Sequence, residues 1–492
     1  MCIRDSPYLV ADLESGRLTD EEAYRYIHSL WTMIENRRTT VNGRIIVGGK
    51  GRKHPKEADV FLHIAMKVAK NCRYVEPQFT LRFDKETSEE IWDEALDALG
   101  AGATYPTLYN DDVNVPAVMY GMRVDEKTAE QYVPFGCTEF VIQGQSTGTP
   151  NICINLLKLL TIYMNDGIDP IDGKRKSGPV PLKKLEEYQT FEEFYDGYKA
   201  LLDYYLDLSV KAQYHSYEVM NQHVSFLFTS LLTDDCIARG KALLDGGVRY
   251  LGGTNETYGN INTSDSLWVI RDLVFNQKKY TLRQLNDAML ANFNGYEALR
   301  KDCLNCDKYG NDLETADTMA NDLYEFVAKG VRNRGIAIGM QYFLIVISNN
   351  QLNTEWGNRT AASPDGRLSC MYMNPANNPQ GGANKSGPTA MLNSLAKFDA
   401  KYHGGSVQNI KFSPSMFNEN RAVIKSLFKT YFAKGGCHLM VTVVDKGVLE
   451  DAVEHPENYP DLIVRVSGFS AVFVDLSPNI QQELLSRVLY DK

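Results

Sequence analysis

The sequence predicts an α/β fold, and three observations support this class. The 492 residues are 43% hydrophobic and 23% charged, which is the composition of a globular protein and excludes a disordered or collagen-like chain. Helical patterns with capping residues recur along the chain, and short apolar runs suited to strands lie between them. Helices that alternate with short apolar strands are typical of α/β proteins.

Four helices are predicted from the residues at their first turns. Thr190-Phe-Glu-Glu193 and Thr281-Leu-Arg-Gln284 have the spacing of capping boxes, in which two side chains satisfy backbone N–H groups. Ser88 precedes a helix that we expect to end at Gly100, and Ser477-Pro478 precedes a C-terminal helix. The aromatic stripe after Thr190 is interpreted as core packing.

Four apolar runs predict strands: Gly335–Ser348, Leu439–Val444, Leu462–Val466 and Ala471–Leu476. The first run is the most apolar stretch of the chain. It is shorter than the roughly 20 residues that a membrane-spanning helix needs. We therefore interpret it as a buried strand.

Residues 359–387 predict a long loop, because glycine, proline and asparagine are too frequent there for a helix or strand. A loop of this length is either functional or a flexible linker. Within it we expect Asp365 and Arg367 to form an internal ion pair. We place a domain boundary nearby, which gives a first domain over residues 1–375 and a second over residues 376–492.

Charge and cysteine usage exclude several classes of function. The 52 basic and 62 acidic residues give a net charge of −10 without a basic block, so we expect neither a nucleic-acid nor a membrane partner. The N-terminus lacks the apolar core of a secretory signal. The expected location is therefore cytoplasmic, where the nine cysteines remain reduced. The single CxxC, Cys303 to Cys306, is a weak signal for a metal site.

The first candidate site is the segment around Cys137. Pro134, Gly136 and a Gly-Thr-Pro turn ending at Pro150 predict that this cysteine lies in a loop. In an extended loop Cys137 and Glu139 point the same way, and a neighbouring carboxylate disfavours a thiolate. The pattern suits a neutral S–H that exchanges a hydrogen atom beside an acid–base group. The alternative is a buried cysteine next to a surface glutamate.

The second candidate site is the glycine of the segment Leu462–Asp475, where two β-like runs are interrupted at Ser467-Gly468. One interpretation is a bulge or tight turn. The other uses the missing Cβ, because loss of a Cα hydrogen from glycine leaves a planar radical that the flanking amide groups delocalise. A side chain at this position would crowd that planar arrangement.

The chain resembles the glycyl radical enzymes related to pyruvate formate-lyase. RVSGFSAVFVDLSPNIQQELLSR at 465–487 is similar to their glycyl radical signature, and FGCTE at 135–139 is similar to their cysteine loop. Weaker similarities follow in the family's order, among them GRIIVGGKGR at 43–52, PQFTLRF at 77–83 and YPTLYNDDV at 105–113.

The resemblance implies a part of a ten-stranded α/β barrel, made of two antiparallel half-barrels of five parallel strands each, with the cysteine and glycine loops at its centre. Residues 1–375 then correspond to the barrel domain and residues 376–492 to the glycyl radical domain. Gly468 stores the radical, Cys137 becomes the transient thiyl, and Glu139 binds or deprotonates a substrate hydroxyl. Apart from the glycyl radical on Gly468, we expect no bound metal or organic cofactor.

The resemblance also implies a reaction class. Pyruvate formate-lyase has adjacent cysteines, whereas Gly136 and Thr138 flank Cys137 here, and Cys-x-Glu is similar to the dehydratase branch. The predicted activity is that of a radical lyase, a dehydratase of a small hydroxylated substrate such as hydroxyproline, a polyol or choline. The alternatives are a formate C-acetyltransferase-like or decarboxylating carbon–carbon lyase, and an inactive fragment that only docks with its activating enzyme.

The implied partner is a radical-SAM activating enzyme, with a homodimer as the candidate assembly. This enzyme must reach Gly468, so we expect the segment after about residue 376 to swing outwards. Arg465 either orients the glycine loop or contacts the activating enzyme. Only 136 residues precede Cys137, whereas family members have several hundred, so the chain is expected to be N-terminally truncated and inactive by itself.

Overall fold

The strands of the described residues form a five-stranded sheet, a four-stranded sheet and two hairpins. The computed structural model describes residues 7–38, 43–147, 152–348 and 351–491. The opening residues 1–6 and the predicted turn at residues 148–150 lie outside the described residues. The chain divides into a first unit, Met1–Tyr120, Val124–Phe140 and Ser406–Lys492, and a second unit, Gly121–Arg123 and Val141–Gly405.

The strands are β1 (Ile45–Gly48), β2 (Phe79–Phe83), β3 (Thr107–Asn110), β4 (Tyr132–Phe135), β5 (Glu139–Ile142), β6 (Ile152–Asn155), β7 (Gly252–Tyr258), β8 (Tyr342–Ile347), β9 (His403–Ser406), β10 (Asn409–Phe412), β11 (His438–Val443), β12 (Ile463–Arg465) and β13 (Ser470–Val472).

The helices are α1 (Pro7–Glu14), α2 (Asp20–Asn36), α3 (Pro55–Asn71), α4 (Glu89–Gly100), α5 (Asp111–Met122), α6 (Glu126–Ala129), α7 (Leu156–Met164), α8 (Phe191–His223), α9 (Leu227–Leu231), α10 (Cys236–Arg239), α11 (Asn260–Val269), α12 (Leu282–Leu290), α13 (Glu297–Asn305), α14 (Glu314–Ala337), α15 (Leu352–Gly357), α16 (Gly387–Ala396), α17 (Pro414–Glu419), α18 (Arg421–Ala433), α19 (Lys446–Glu454) and α20 (Pro478–Ser486). Together with the strands they confirm the α/β class.

The sheet of the first unit has five strands in the order β1-β2-β3-β11-β10. Strands β1, β2 and β3 are parallel, and so are β10 and β11. Strand β11 runs antiparallel to β3, with His438 opposite Tyr109. The sheet is therefore mixed, whereas the family resemblance led us to expect five parallel strands in each half.

One face of this sheet is polar. Phe79–Phe83 alternates phenylalanine and leucine with Thr80 and Arg82, and Gln78 precedes the strand in the same alternation. Because side chains alternate between the two faces of a strand, Gln78, Thr80 and Arg82 share one face, and Tyr109, the register partner of Arg82, joins them. Parallel strands buried on both faces are normally apolar throughout, so this polar face is unusual.

The sheet of the second unit has four strands in the order β6-β7-β8-β9. Strands β6, β7 and β8 are parallel, and every residue of Tyr342–Ile347 is buried. The prediction of one strand over Gly335–Ser348 is wrong in its first half. Helix α14 continues to Ala337, and a turn with Gly339 at φ +91° separates it from β8.

The helix starts agree with the predictions, but two of the predicted caps differ. The capping box predicted at Thr190 is incomplete, because the Glu193 carboxylate accepts from the Gln189 N–H at 3.1 Å. Ser88 and Thr190 each accept a hydrogen bond from the backbone N–H three residues later, and Thr281 forms a complete capping box with Gln284. Helix α4 ends at Gly100 as expected. Ser477 precedes α20, but its side chain makes no capping hydrogen bond.

The predicted C-terminal strands are present, although the last one is short. Strands β11 and β12 lie within or next to the predicted runs. The prediction over Ala471–Leu476 is wrong for its second half, because β13 ends at Val472 and Phe473–Asp475 form a 3-10 turn. Phe473 turns into an apolar cluster with residues of α19 and α20, which explains why the strand stops there.

The loop 359–387 has no helix or strand before Gly387, as predicted, and it is well packed. The expected ion pair between Asp365 and Arg367 is not formed. Asp365 accepts hydrogen bonds from the side chains of Asn262 (2.6 Å) and Ser363 (2.6 Å). The Arg367 guanidinium donates to backbone carbonyls, among them that of Leu368 at 2.6 Å. This buried hydrogen bonding argues against a flexible linker.

Within the described residues, no helix is both long and apolar enough to span a membrane.

Candidate active site

Cys137 lies at the tip of the hairpin formed by β4 and β5, called the cysteine hairpin below. The turn is tight, with the Thr138 N–H donating to the Phe135 carbonyl at 2.9 Å and with left-handed backbone at Gly136 (φ +49°) and Thr138 (φ +101°). A threonine in this region is strained, since left-handed backbone favours glycine. The hairpin thereby fixes the position of Cys137, a residue that is only 3% exposed.

A buried ion pair supports the base of the cysteine hairpin. Arg82 contacts both carboxylate oxygens of Asp111, at 2.8 and 2.7 Å, and both side chains are fully buried. Arg82 also donates to the backbone carbonyl of Tyr132 (2.8 Å), and the Tyr132 hydroxyl donates to Asp111 (2.8 Å). Burial raises the pKa of Tyr132 well above its ordinary value, so its hydroxyl remains a donor.

Gly468 lies at the tip of a second hairpin, formed by β12 and β13 and called the glycine hairpin below. The strands pair antiparallel, and the N–H groups of Val466 and Ser467 both donate to the Phe469 carbonyl, at 3.1 and 3.3 Å. Val464, Val466 and Phe473 pack with α19 and α20 in one apolar cluster. Gly468 itself is buried.

Arg465 holds the glycine hairpin from inside. Its Nε donates to the Ser467 carbonyl at 2.8 Å, and a terminal nitrogen donates to the Ser470 hydroxyl at 3.2 Å. The guanidinium lies 5.1 Å from the centre of the Tyr105 ring, and Ser470 also contacts Thr104 at 2.7 Å. Burial lowers the pKa of Arg465. Of the two predictions for Arg465, the structure supports orientation of the glycine loop.

The tips of the two hairpins meet. An ideal Cβ at Gly468 would lie 2.5 Å from both the Sγ and the Cα of Cys137, closer than real side chains approach. Since a Cα–Cβ bond is about 1.5 Å long, the Gly468 Cα lies within about 4 Å of the sulfur. This glycine is therefore required by a close approach, and the approach brings together two residues that are far apart in the sequence.

Glu139 is 4% exposed and starts β5, two residues after Cys137. Its carboxylate folds back over the turn, because a Cβ at Gly136 would lie 2.9 Å from Glu139 Oε2. The alternative of a surface glutamate is therefore excluded, and a carboxylate lies in the buried turn that carries the sulfur. The role of Glu139 in catalysis stays a prediction.

The sequence interpretation missed three polar residues of the sheet face. Arg44 donates to the carbonyl of Gly136 at 2.7 Å, one residue before the sulfur, and also to the Gln78 side chain. Tyr109 is 1% exposed, and burial raises its pKa to about 12 against the opposing effect of the Arg44 and Arg465 charges. The alternation of polar and apolar residues from Gln78 to Phe83 was the signal that could have revealed this face.

Comparisons with known proteins agree with this arrangement. Residues 6–352 match the family described as pyruvate formate lyase-like, and residues 373–474, which include Gly468, match the one described as glycine radical.

Individual relatives are distant but align along nearly the whole chain. The trans-4-hydroxy-L-proline dehydratase of Clostridioides difficile is 28% identical over 499 residues, covering 98% of this chain and 63% of the relative. The glycyl radical subunit of 4-hydroxyphenylacetate decarboxylase from the same species is 25% identical over 550 residues. This alignment covers 99% of this chain and 60% of the relative.

A solved structure from work on 1,2-propanediol dehydration in Roseburia inulinivorans superimposes with a TM-score of 0.89 at 28% identity, covering 98% of this chain and 63% of that one. The chain thus spans less than two thirds of the length of the relatives it matches.

Proposed function

Because the chain belongs to the pyruvate formate lyase-like family, we propose that it is a glycyl radical lyase that dehydrates a small hydroxylated substrate. The observation that carries this proposal is the approach of Gly468 to the Cys137 sulfur, which leaves no room for a Cβ. The absence of a second cysteine beside Cys137 supports a dehydratase over an acyl-transferring lyase. Relatives that act on hydroxyproline and propanediol support the same branch.

In the proposed mechanism Cys137 gives the hydrogen atom of its S–H bond to the Gly468 Cα, which carries the radical in the activated protein. The sulfur then takes a hydrogen atom from the substrate carbon that bears the hydroxyl. For a vicinal diol, Glu139 accepts the proton of the hydroxyl on the radical carbon and passes it to the hydroxyl that leaves the neighbouring carbon as water. The resulting carbonyl radical regains a hydrogen atom from Cys137, so that no external oxidant or reductant is consumed.

Further parts of this proposal concern architecture and partners. We propose that the two sheets belong to the ten-stranded barrel of the family, with the domain boundary at residues 375 and 376. The partner would be a radical-SAM activating enzyme, for which the glycine hairpin has to leave its buried position. A cytoplasmic location and a homodimer complete the proposal.

The first test is formation of the radical by the chain as it is. The protein and two variants are incubated anoxically with a radical-SAM activating enzyme of this family, and electron paramagnetic resonance is recorded. We expect a glycyl doublet for the wild type and for Gly447→Ala, whose added Cβ meets only the Asp445 side chain at 3.2 Å. Gly468→Ala should give none. Lack of a doublet in the wild type would contradict the proposal.

The second test distinguishes between the candidate reaction classes. It also tests the proposed role of Glu139. The activated protein is offered hydroxyproline, glycerol, 1,2-propanediol, choline, 4-hydroxyphenylacetate, and pyruvate with coenzyme A, and products are identified by mass spectrometry. If the chain is active, loss of water from a hydroxylated compound is expected, whereas a glycyl doublet without turnover of any compound would support the inactive fragment expected from the sequence. Glu139→Gln should keep the doublet but lower turnover by about 10²- to 10⁴-fold. Decarboxylation or acetyl transfer as the main reaction would favour the alternative lyases.

A further inference from the structure

Besides the Thr138 and Ser467 hydroxyls, three buried hydrogen-bond donors near the two hairpin tips have no acceptor among the described residues. They are the Gln78 side-chain nitrogen Nε2, the Tyr109 hydroxyl and one terminal nitrogen, Nη2, of Arg465. All three residues are at most 2% exposed. Leaving a buried donor without an acceptor costs about 1–3 kcal/mol, so a buried group of this kind points to something it binds.

These donors converge with Arg44 on one place. Arg44 contacts Gln78, the Thr80 hydroxyl at 3.2 Å and the Gly136 carbonyl at 2.7 Å. Tyr109 lies opposite Arg82 in the register of β3 against β2, so its ring is on the same sheet face as Gln78. Arg44, Gln78 and Tyr109 therefore place one cation and two neutral donors on the sheet face that contacts the turn carrying Cys137.

Three acidic side chains described near these donors have other contacts. Glu76 is buried, and its carboxylate oxygen Oε2 accepts a hydrogen bond from the Gln78 backbone N–H at 3.0 Å. Asp111 belongs to the ion pair with Arg82. Glu139 lies against Gly136, on the turn itself. The donors of the sheet face therefore match a ligand that is rich in acceptors, and Glu139 matches a hydroxyl of the same ligand.

We propose that Arg44, Gln78 and Tyr109 bind an anionic group of the substrate, a carboxylate or a sulfonate, so that the substrate is a small hydroxylated organic anion. This rests on the proposed function for the identity of the substrate, but binding itself needs no radical. Arginine recognises carboxylates and sulfonates through charge-assisted hydrogen bonds, and Gln78 and Tyr109 add two neutral donors. Choline, a cation, is disfavoured at such a site.

The test is calorimetric binding to the unactivated full chain with pairs of charged and neutral ligands. Glycerate is compared with glyceramide, and isethionate with 2-(methylsulfonyl)ethanol, so that each pair differs mainly in charge. We expect the wild type to bind at least one anion about tenfold to a hundredfold more tightly than its neutral counterpart. The pair that shows the preference identifies carboxylate or sulfonate as the recognised group.

Variants decide whether the preference belongs to this site. Arg44→Gln should abolish it, Tyr109→Phe should reduce it severalfold, and Arg37→Gln, at an exposed arginine, should leave it unchanged. Thermal unfolding of each variant confirms that the fold is retained. Equal binding of anion and neutral counterpart, lack of binding by either, or a preference that survives Arg44→Gln would overturn the proposal. Failure of the proposed function is distinguishable, since it appears as a missing glycyl doublet.

Discussion

The cysteine and glycine hairpins present Cys137 and Gly468 in similar ways but are supported differently. Each places one residue at the tip of a tight antiparallel turn, and each has a buried arginine at its base. In the cysteine hairpin Arg82 is neutralised by Asp111 through two contacts. In the glycine hairpin Arg465 contacts a carbonyl, a hydroxyl, a thioether and a ring, and forms no ion pair among the described residues.

This difference predicts that the cysteine hairpin keeps its position, whereas the glycine hairpin can leave its buried position. A buried ion pair strongly resists removal of one partner, because the remaining charge would be uncompensated. A buried arginine without a carboxylate partner is not fully compensated for the loss of its hydration in the folded state. The lowered pKa of Arg465 reflects this desolvation. We therefore expect the glycine hairpin to open at a lower free energy than the cysteine hairpin, as access for an activating enzyme requires.

The largest expected effect is on the cysteine hairpin. Asp111→Asn should lower the free energy of unfolding by about 3–5 kcal/mol, because it leaves the Arg82 charge without its buried carboxylate. Urea unfolding measures this loss. The matched control is Asp112→Asn, a neighbouring and more exposed residue that pairs with Lys50, which should cost about 1 kcal/mol or less. Equal losses in both variants would contradict the assigned role of the buried pair.

A pH-dependent effect is expected where the segment after the glycine hairpin meets β10. The Lys411 ammonium donates to the Leu484 carbonyl near the end of α20 at 3.0 Å, and burial lowers its pKa from 10.5 to about 8. Between these values the unfolded chain binds more protons than the folded protein, so stability rises as the pH rises from about 8 to 10.5. The gain amounts to at most roughly 3 kcal/mol and is absent below about pH 8.

Urea unfolding at pH 8, 9 and 10 measures this gain as the difference between the wild type and Lys411→Met. In the variant the contribution from Lys411 is absent, so its stability should rise less over this interval. Parallel pH profiles for the two proteins would show that Lys411 titrates normally in the folded state.

The smallest expected effect is on the arginine of the glycine hairpin. Arg465→Met should change the free energy of unfolding by about 1 kcal/mol or less, because removing an uncompensated buried charge offsets the lost hydrogen bonds. Hydrogen exchange near Gly468 should nevertheless become faster, since the Ser467 carbonyl loses its donor. A loss as large as that of Asp111→Asn would remove the proposed difference between the two hairpins.

Local sequence signals predicted most elements and singled out Cys137 and Gly468 as the two candidate reactive residues. Capping residues such as Thr190 and Thr281 determine helix starts through nearby atoms, so they can be identified without a structure. Cys137 and Gly468 stood out because of the residues next to them. The strand predicted from Gly335 failed because an apolar run has the same composition in a buried helix end and in a strand.

Contacts between distant parts of the chain could not be predicted in this way. Asp365 has Arg367 two residues away, yet it bonds Asn262, because tertiary packing decides which partner is in reach. Arg44 is brought to the cysteine turn by the register of β1 against β2, which its local sequence does not encode. The polar residues of the sheet face therefore emerged only when the strands were seen side by side.

The central claim is that the Gly468 carbon and the Cys137 sulfur exchange a hydrogen atom. The most direct measurement is the glycyl doublet of the activated protein in deuterated water, without substrate. The Cys137 S–D bond delivers deuterium to the Gly468 Cα, and return of hydrogen to the sulfur leaves a C–D radical, so the doublet should collapse to a singlet. In Cys137→Ala the doublet should persist. A doublet that persists in the wild type, or collapses equally in Cys137→Ala, would contradict the account.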